Sequence, residues 1–258
     1  SPLLADMDND CIPEIVMSGL TNYNTNPRIT SGIYIVDTKS GDTKRTISTP
    51  YYAWGGPTSF GLADVNSDGF PEIVIATASE SQNPASLRSR LVCYDSFGNL
   101  LWVSDRVYGD NVSGTGYGAS PGFADFNHDG IPEVYIYNEI FNALTGVKLA
   151  DGGNNGTGSV IASFNSYAYG SSVAAELDNN PESLELAAGF TIYQVSISNV
   201  NGTTGNIMTA LNLEVDNQFR DGFTSIGDIN KDGTLDVVIS SQGSSSTSRL
   251  YVYSMVNN

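Results

Sequence analysis

Residues 63–76 read Ala-Asp-Val-Asn-Ser-Asp-Gly-Phe-Pro-Glu-Ile-Val-Ile-Ala, and this stretch decides the fold. Oxygen-bearing side chains stand at alternate positions, Asp64, Asn66 and Asp68, before Gly69; Glu72 closes the run at the ninth place. With Asp64 as position one, the side chains at one, three, five and nine converge on one point if the glycine at six turns the chain sharply. The carbonyl at position seven, Phe70, adds another oxygen. From Glu72 onward the text is apolar and β-branched, which predicts a strand. The EF-hand closes at position twelve between helices, so this is a different kind of acidic loop.

Four other segments resemble it. They read ADMDNDCIPEIVMS from Ala5, ADFNHDGIPEVYIY from Ala124, AELDNNPESLELAAG from Ala175 and GDINKDGTLDVVIS from Gly227. The chain has 258 residues, with 28 acidic and 11 basic side chains and a net charge of −17. Well over half of the acids fall in these five windows, so the charge is clustered rather than spread for solubility. Packing like charges into a short loop is costly unless a cation offsets them. An all-oxygen, carboxylate-rich set suits Ca²⁺, because Mg²⁺ demands stricter octahedral geometry and zinc wants thiolate or imidazole. The simpler alternative, an Asx-rich turn between strands, explains one such loop more easily than several.

The copies differ. The loops from Asp64, Asp125 and Asp228 keep the whole pattern, with Gly69, Gly130 and Gly233 at the turn. Their candidate ligands are Asp64, Asn66, Asp68, Phe70 and Glu72; Asp125, Asn127, Asp129, Ile131 and Glu133; and Asp228, Asn230, Asp232, Thr234 and Asp236. The first loop offers Asp6, Asp8, Asp10, Ile12 and Glu14 but has Cys11 where glycine is expected, a strained choice for a left-handed backbone. Its extra carboxylate, Asp8 in place of Asn, compensates. The fourth has Pro181, no turn glycine and one residue too many before Glu185, and reads as a metal-free turn. Three or four structural calcium ions are therefore expected.

The loops recur about every 50 to 60 residues, a period of propellers, solenoids and arrays. Strand-like runs separate them: Phe60 to Ala63, Glu72 to Thr77, Arg90 to Asp95 and Leu100 to Ser104 make four in one repeat. No helical periodicity is sustained anywhere. The chain reads as all-β, a β-propeller built of four-stranded antiparallel blades. About five blades are present, at approximately 1–50, 51–108, 109–155, 156–216 and 217–258. The opening Ser1-Pro2-Leu3-Leu4-Ala5-Asp6 aligns with Ser120 to Asp125, the first strand of a blade, whereas Leu250 to Ser254 aligns with a third. The expectation is a part of a seven- or eight-bladed ring completed by further blades of the same or an associated chain. A self-contained five-bladed ring is the alternative.

The Phe60-Gly61-Leu62-Ala63-Asp64 run with Asp-x-Asn-x-Asp-Gly-x-x-Glu behind it is similar to the FG-GAP and VCBS-type repeat of integrin-α-like propellers. The resemblance implies a calcium-binding propeller of seven or eight blades in an extracellular adhesion or binding protein, with the ligand held on the face away from the calcium loops. Candidates for that face are Tyr52, Trp54, Tyr117, Tyr167 and Arg220, near inter-blade junctions where aromatics could stack on a sugar or anchor a protein. Plugs between blades are the simpler role for each of them. The expected ligand is a protein or a glycan, so a lectin is one form of the reading.

Catalysis finds little support. His128, the sole histidine, lies inside the third calcium loop and is expected to face solvent; no P-loop or GxGxxG is present. Some polysaccharide lyases use a similar propeller, but they would need basic groups near the ring centre. Only Arg28, Arg88, Arg106 and Arg220 fall in segments read as connections. The acidity disfavours nucleic acid, and no run of about 20 apolar residues predicts membrane insertion. Cys93 reads as a buried core thiol and a Cys11–Cys93 bridge as a minor alternative. Loops of this kind fill most easily outside the cell, where calcium is abundant. The sequons at Asn111, Asn155 and Asn201 matter only if the source glycosylates secreted proteins.

Overall fold

A computed structural model describes residues 2–20, 28–49, 52–53, 60–77, 90–107, 120–153, 171–213, 222–242 and 248–255. All regular structure among them is strand, in five antiparallel sheets. Sheet one contains β1 (Leu3–Ala5), β2 (Glu14–Leu20), β3 (Arg28–Val36) and β4 (Thr43–Ile47) in that order, with β5 (Tyr52–Ala53) paired to β3. Sheet two runs β6 (Phe60–Ala63), β7 (Glu72–Ala76), β8 (Arg90–Tyr94) and β9 (Leu100–Arg106). Sheet three runs β10 (Gly122–Ala124), β11 (Glu133–Ile136), β12 (Glu139–Phe141) and β13 (Lys148–Asp151). Sheet four runs β14 (Ser172–Ala175), β15 (Glu185–Ala188), β16 (Thr191–Ser196) and β17 (Ile207–Asn212). Sheet five has β18 (Phe223–Gly227), β19 (Asp236–Gln242) and β20 (Ser248–Ser254).

Two compact units divide the chain. One takes in residues 1–121 with the turn 143–146, the other 122–142 and 147–258. In the first, Met7, Val16, Ile33 and Ile35 of sheet one pack with Phe60, Ile73, Ile75 and Val92 of sheet two. In the second, sheet four is buried on both faces, and the period-two alternation of a strand produces this. Leu186, Ala188, Tyr193 and Val195 turn toward Phe126, Ile140 and Leu149, while Ala187 and Ile192 turn toward Val237 and Ile239. The second strands β7, β11 and β15 are accordingly apolar after their opening glutamate and buried throughout, as in Glu-Ile-Val-Ile-Ala of β7. Within each unit the first strands of successive sheets are neighbours: β1 lies by β6, β10 by β14 and β14 by β18.

Two arginines sit elsewhere than in connections. Arg28 opens β3 and Arg106 ends β9, where Arg106 pairs in register with Arg90. The β2–β3 hairpin extends beyond its apolar stretch, through Gly19 opposite Gly32 and Leu20 opposite Thr30, and so draws Arg28 into a strand. Arg88 lies outside the described residues. Neither cysteine is bridged: Cys11 is exposed, and Cys93 is buried in β8, where burial pushes its thiol pKa well up.

Candidate metal centres

Each acidic loop joins the first strand of a sheet to the second; four share one backbone frame, and loop four keeps two of its three bonds with one extra residue. The closing carboxylate opens the second strand and is at most 4% exposed: Glu14, Glu72, Glu133, Glu185 and Asp236. It accepts from the N–H at position two, which is Met7 (2.9 Å), Val65 (3.0 Å), Phe126 (2.9 Å), Leu177 (2.8 Å) or Ile229 (2.9 Å). The position-one carboxylate accepts from the N–H at position five, with Asp6, Asp64, Asp125, Glu176 and Asp228 bound by Asp10, Asp68, Asp129, Asn180 and Asp232. Its second oxygen accepts from position six in four loops, at 2.7 Å from Cys11, 2.9 Å from Gly69, 2.8 Å from Gly130 and 3.0 Å from Gly233. Pro181 stands at that place in loop four and has no N–H to give.

The glycines are required by conformation. Gly69, Gly130 and Gly233 have φ of +91°, +87° and +89°, and a Cβ on Gly130 or Gly233 would meet nothing. Cys11 adopts the same left-handed region at φ +64°, as the sequence predicts. Position four is left-handed too, in every loop: Asn9, Ser67, His128, Asn179 and Lys231 lie between +57° and +64°. These residue types vary so widely that no sequence signal marks the position.

Electrostatics separates the loops. Burial pushes Glu133 up to about 7, and the nearby charges of Asp129 and Asp125 add to it against the N–H of Phe126. Glu72 and Glu185 are raised for the same first reason, burial, with carboxylate neighbours contributing. In loops two, three and five the position-three amide lies among the carboxylates: Asn66, Asn127 and Asn230 donate to Asp68, Asp129 and Asp232 at 3.1, 3.0 and 2.8 Å. In loop one an ammonium takes that role. Lys44 of β4 donates to Asp8 at 2.8 Å and Glu14 at 2.7 Å, with Asp10 and Asp37 each at 3.7 Å.

Whether these residues fit calcium can be tested on Asp236. Aspartate is a methylene shorter than glutamate; one of its oxygens binds the Ile229 N–H, and the other, Oδ1, is buried with no hydrogen-bond partner among the described residues. A buried carboxylate oxygen without a donor is costly, and a cation removes that cost. Loop five fits. Loops two and three share its frame and oxygen set, with Asp64, Asn66, Asp68, Glu72 and the Phe70 carbonyl as the holders in one case. In loop four Glu176, Asp178 and Glu185 bring carboxylate oxygens within 4.8 Å of one another, so the extra residue and Pro181 do not scatter the acids. The same gathering occurs for Asp6, Asp8 and Glu14.

Residues 64–136, which carry the second and third of these loops, match the family model described as FG-GAP-like repeat. Among solved structures the chain is similar to the V. cholerae biofilm matrix protein Bap1, with a TM-score of 0.58 and 18% identity. The likeness covers 98% of this chain and 37% of Bap1, so the chain spans little over a third of that protein, and at this identity it is one of fold. No curated protein matches the sequence.

The five acidic loops hold all the metal candidates, whereas the expected ligand face falls almost wholly outside the described residues. Trp54, Tyr117, Tyr167 and Arg220 are outside the described residues, and Tyr52 is placed only as part of β5. His128 is exposed, as expected, and borders a groove of about 410 Å³ within the second unit, together with Asn127, Glu182, Gln194 and Thr209. Sequence reasoning missed Lys44, which is 30 residues from Glu14 and announces itself only through the strand pairing.

Proposed function

We propose that the chain is a calcium-braced run of β-propeller blades in an extracellular adhesion or matrix protein. Calcium sits in loops two, three and five, held by Asp64, Asn66, Asp68, Phe70 and Glu72 and by their counterparts from Asp125 and Asp228. The observation that carries this reading is the buried Oδ1 of Asp236, without a hydrogen-bond partner among the described residues, in a frame repeated from sheet to sheet. Loop four is left out because neutral Asn180 replaces the position-five aspartate and Pro181 removes a loop hydrogen bond. The ion's contribution is structural: it neutralises the converging carboxylates and fixes the turn between the first two strands of a blade.

The sheets are blades of a ring of seven or eight completed by further blades, and the opposite face binds a protein or glycan. The FG-GAP-like match and the fold shared with a biofilm matrix protein support an extracellular, adhesion-type role. Elemental analysis after dialysis against calcium tests the metal: three ions per chain are expected, and none would overturn the reading. A glycan array and a pull-down on the same calcium-loaded protein separate the two ligand classes, and release of unsaturated products from uronate polymers would replace binding by catalysis.

A further inference from the structure

We propose that loop one is not a calcium site, because Lys44 is its resident cation. The lysine reaches the loop from a different strand, and its ammonium stands at hydrogen-bond distance from Asp8 and Glu14 and 3.7 Å from Asp10 and Asp37. Glu14, the most deeply buried of these acids with 1% of its side chain exposed, is the closing residue that the other loops would offer to a metal. An ammonium so placed satisfies the like charges that otherwise call for a divalent ion, and a cation and an ammonium repel at such range. Calcium enters loop one only by displacing Lys44.

The lysine is placed there by a β-bulge. Ile35 pairs with Arg45 and Val36 with Thr43, so Lys44 is the extra residue of β4. Sheets two and three have a bulge at the corresponding step, where Cys93 pairs with Trp102 and Tyr94 with Leu100, and Ile140 with Ala150 and Phe141 with Lys148. Their extra residues are Leu101 and Leu149, which carry no charge. Cys11 agrees with this assignment: of the four loops that are left-handed at the turn position, the one with a side chain there is the one that has its own cation. Strand β4 therefore supplies to loop one what solvent supplies to the others.

This inference rests on the calcium reading of the other loops only for its comparison, and its test separates the two. Bound calcium is counted in wild type, in Lys44→Gln and in Lys39→Gln, which removes a charge from the neighbouring β3–β4 turn. Lys44→Gln is expected to bind one more calcium than wild type and Lys39→Gln the same number; an equal count in folded Lys44→Gln and wild type overturns the proposal. Amine acylation read by mass spectrometry tests wild type directly. Lys44 should be modified more slowly than Lys39 and Lys231, to the same extent with calcium as with chelator. If calcium exposes Lys44 to the reagent, the metal displaces it and the proposal fails, whatever the other loops bind. If Lys44→Gln does not fold, the acylation result decides alone.

Discussion

Loop one and loop two have the same length, the same hydrogen-bonded frame and buried closing glutamates, yet they meet their charge in different ways. Around Glu72, beside the backbone N–H groups of the frame, the side-chain donor among the described residues is an amide, Asn66, at 3.1 Å. Around Glu14 it is the ammonium of Lys44 at 2.7 Å. Loop two can pass through the left-handed region at Gly69 without strain, whereas loop one does so at Cys11. The difference teaches that the acidic spacing builds a turn and a negative cavity, and that what fills the cavity is chosen by residues far off in sequence.

The largest effect should come from neutralising the closing residue. Glu72→Gln is expected to remove one calcium and with it about 3 kcal/mol of stability at a hundredfold excess of calcium over its Kd. Glu14→Gln should leave the calcium count unchanged. Denaturant unfolding with metal analysis checks both, and equal calcium losses would erase the distinction between the loops. The turn position gives a smaller, mirrored pair. Cys11→Gly should stabilise by about 1 kcal/mol, and Gly233→Ala should destabilise by about the same amount, because only glycine takes positive φ freely. A loss of stability in Cys11→Gly would mean that the thiol does something the backbone strain does not explain.

The third prediction concerns pH without metal. Glu133 has a folded pKa of about 7, above the usual value near 4.5. In chelator its contribution is fully present below about 4.5 and is lost as pH rises through about 7, since the raised pKa favours the protonated folded form. Melting followed from pH 5 to 8 should therefore show falling stability in chelator, and Glu133→Gln should flatten the slope. Calcium requires the ionised carboxylate, so with saturating calcium the folded and unfolded forms bind nearly the same number of protons and the fall with pH should disappear. The smallest effect is at the cysteines: a thiol reagent should modify exposed Cys11 and spare buried Cys93, and modified protein should keep its calcium count.

Much of this was legible in the sequence, for local reasons. The all-β class, the strand after each loop and the left-handed turn at Cys11 follow from residues adjacent in the chain, where propensity and spacing act directly. Lys44 was not legible, because its position depends on a bulge in β4 and the register with β3. Loop four kept two of the three frame bonds despite Pro181, since the closing bond from Leu177 to Glu185 absorbs the extra residue in the exposed part of the turn. The position-four backbone was hidden because asparagine, serine, histidine and lysine all occupy it.

Thermal melting in calcium and in chelator tests the central claim most directly, with Asp232→Ala as the companion variant. The account predicts a clearly lower Tm for wild type in chelator and a smaller chelator effect in Asp232→Ala, which has already lost one site. A wild-type Tm that is the same in calcium and in chelator would contradict it.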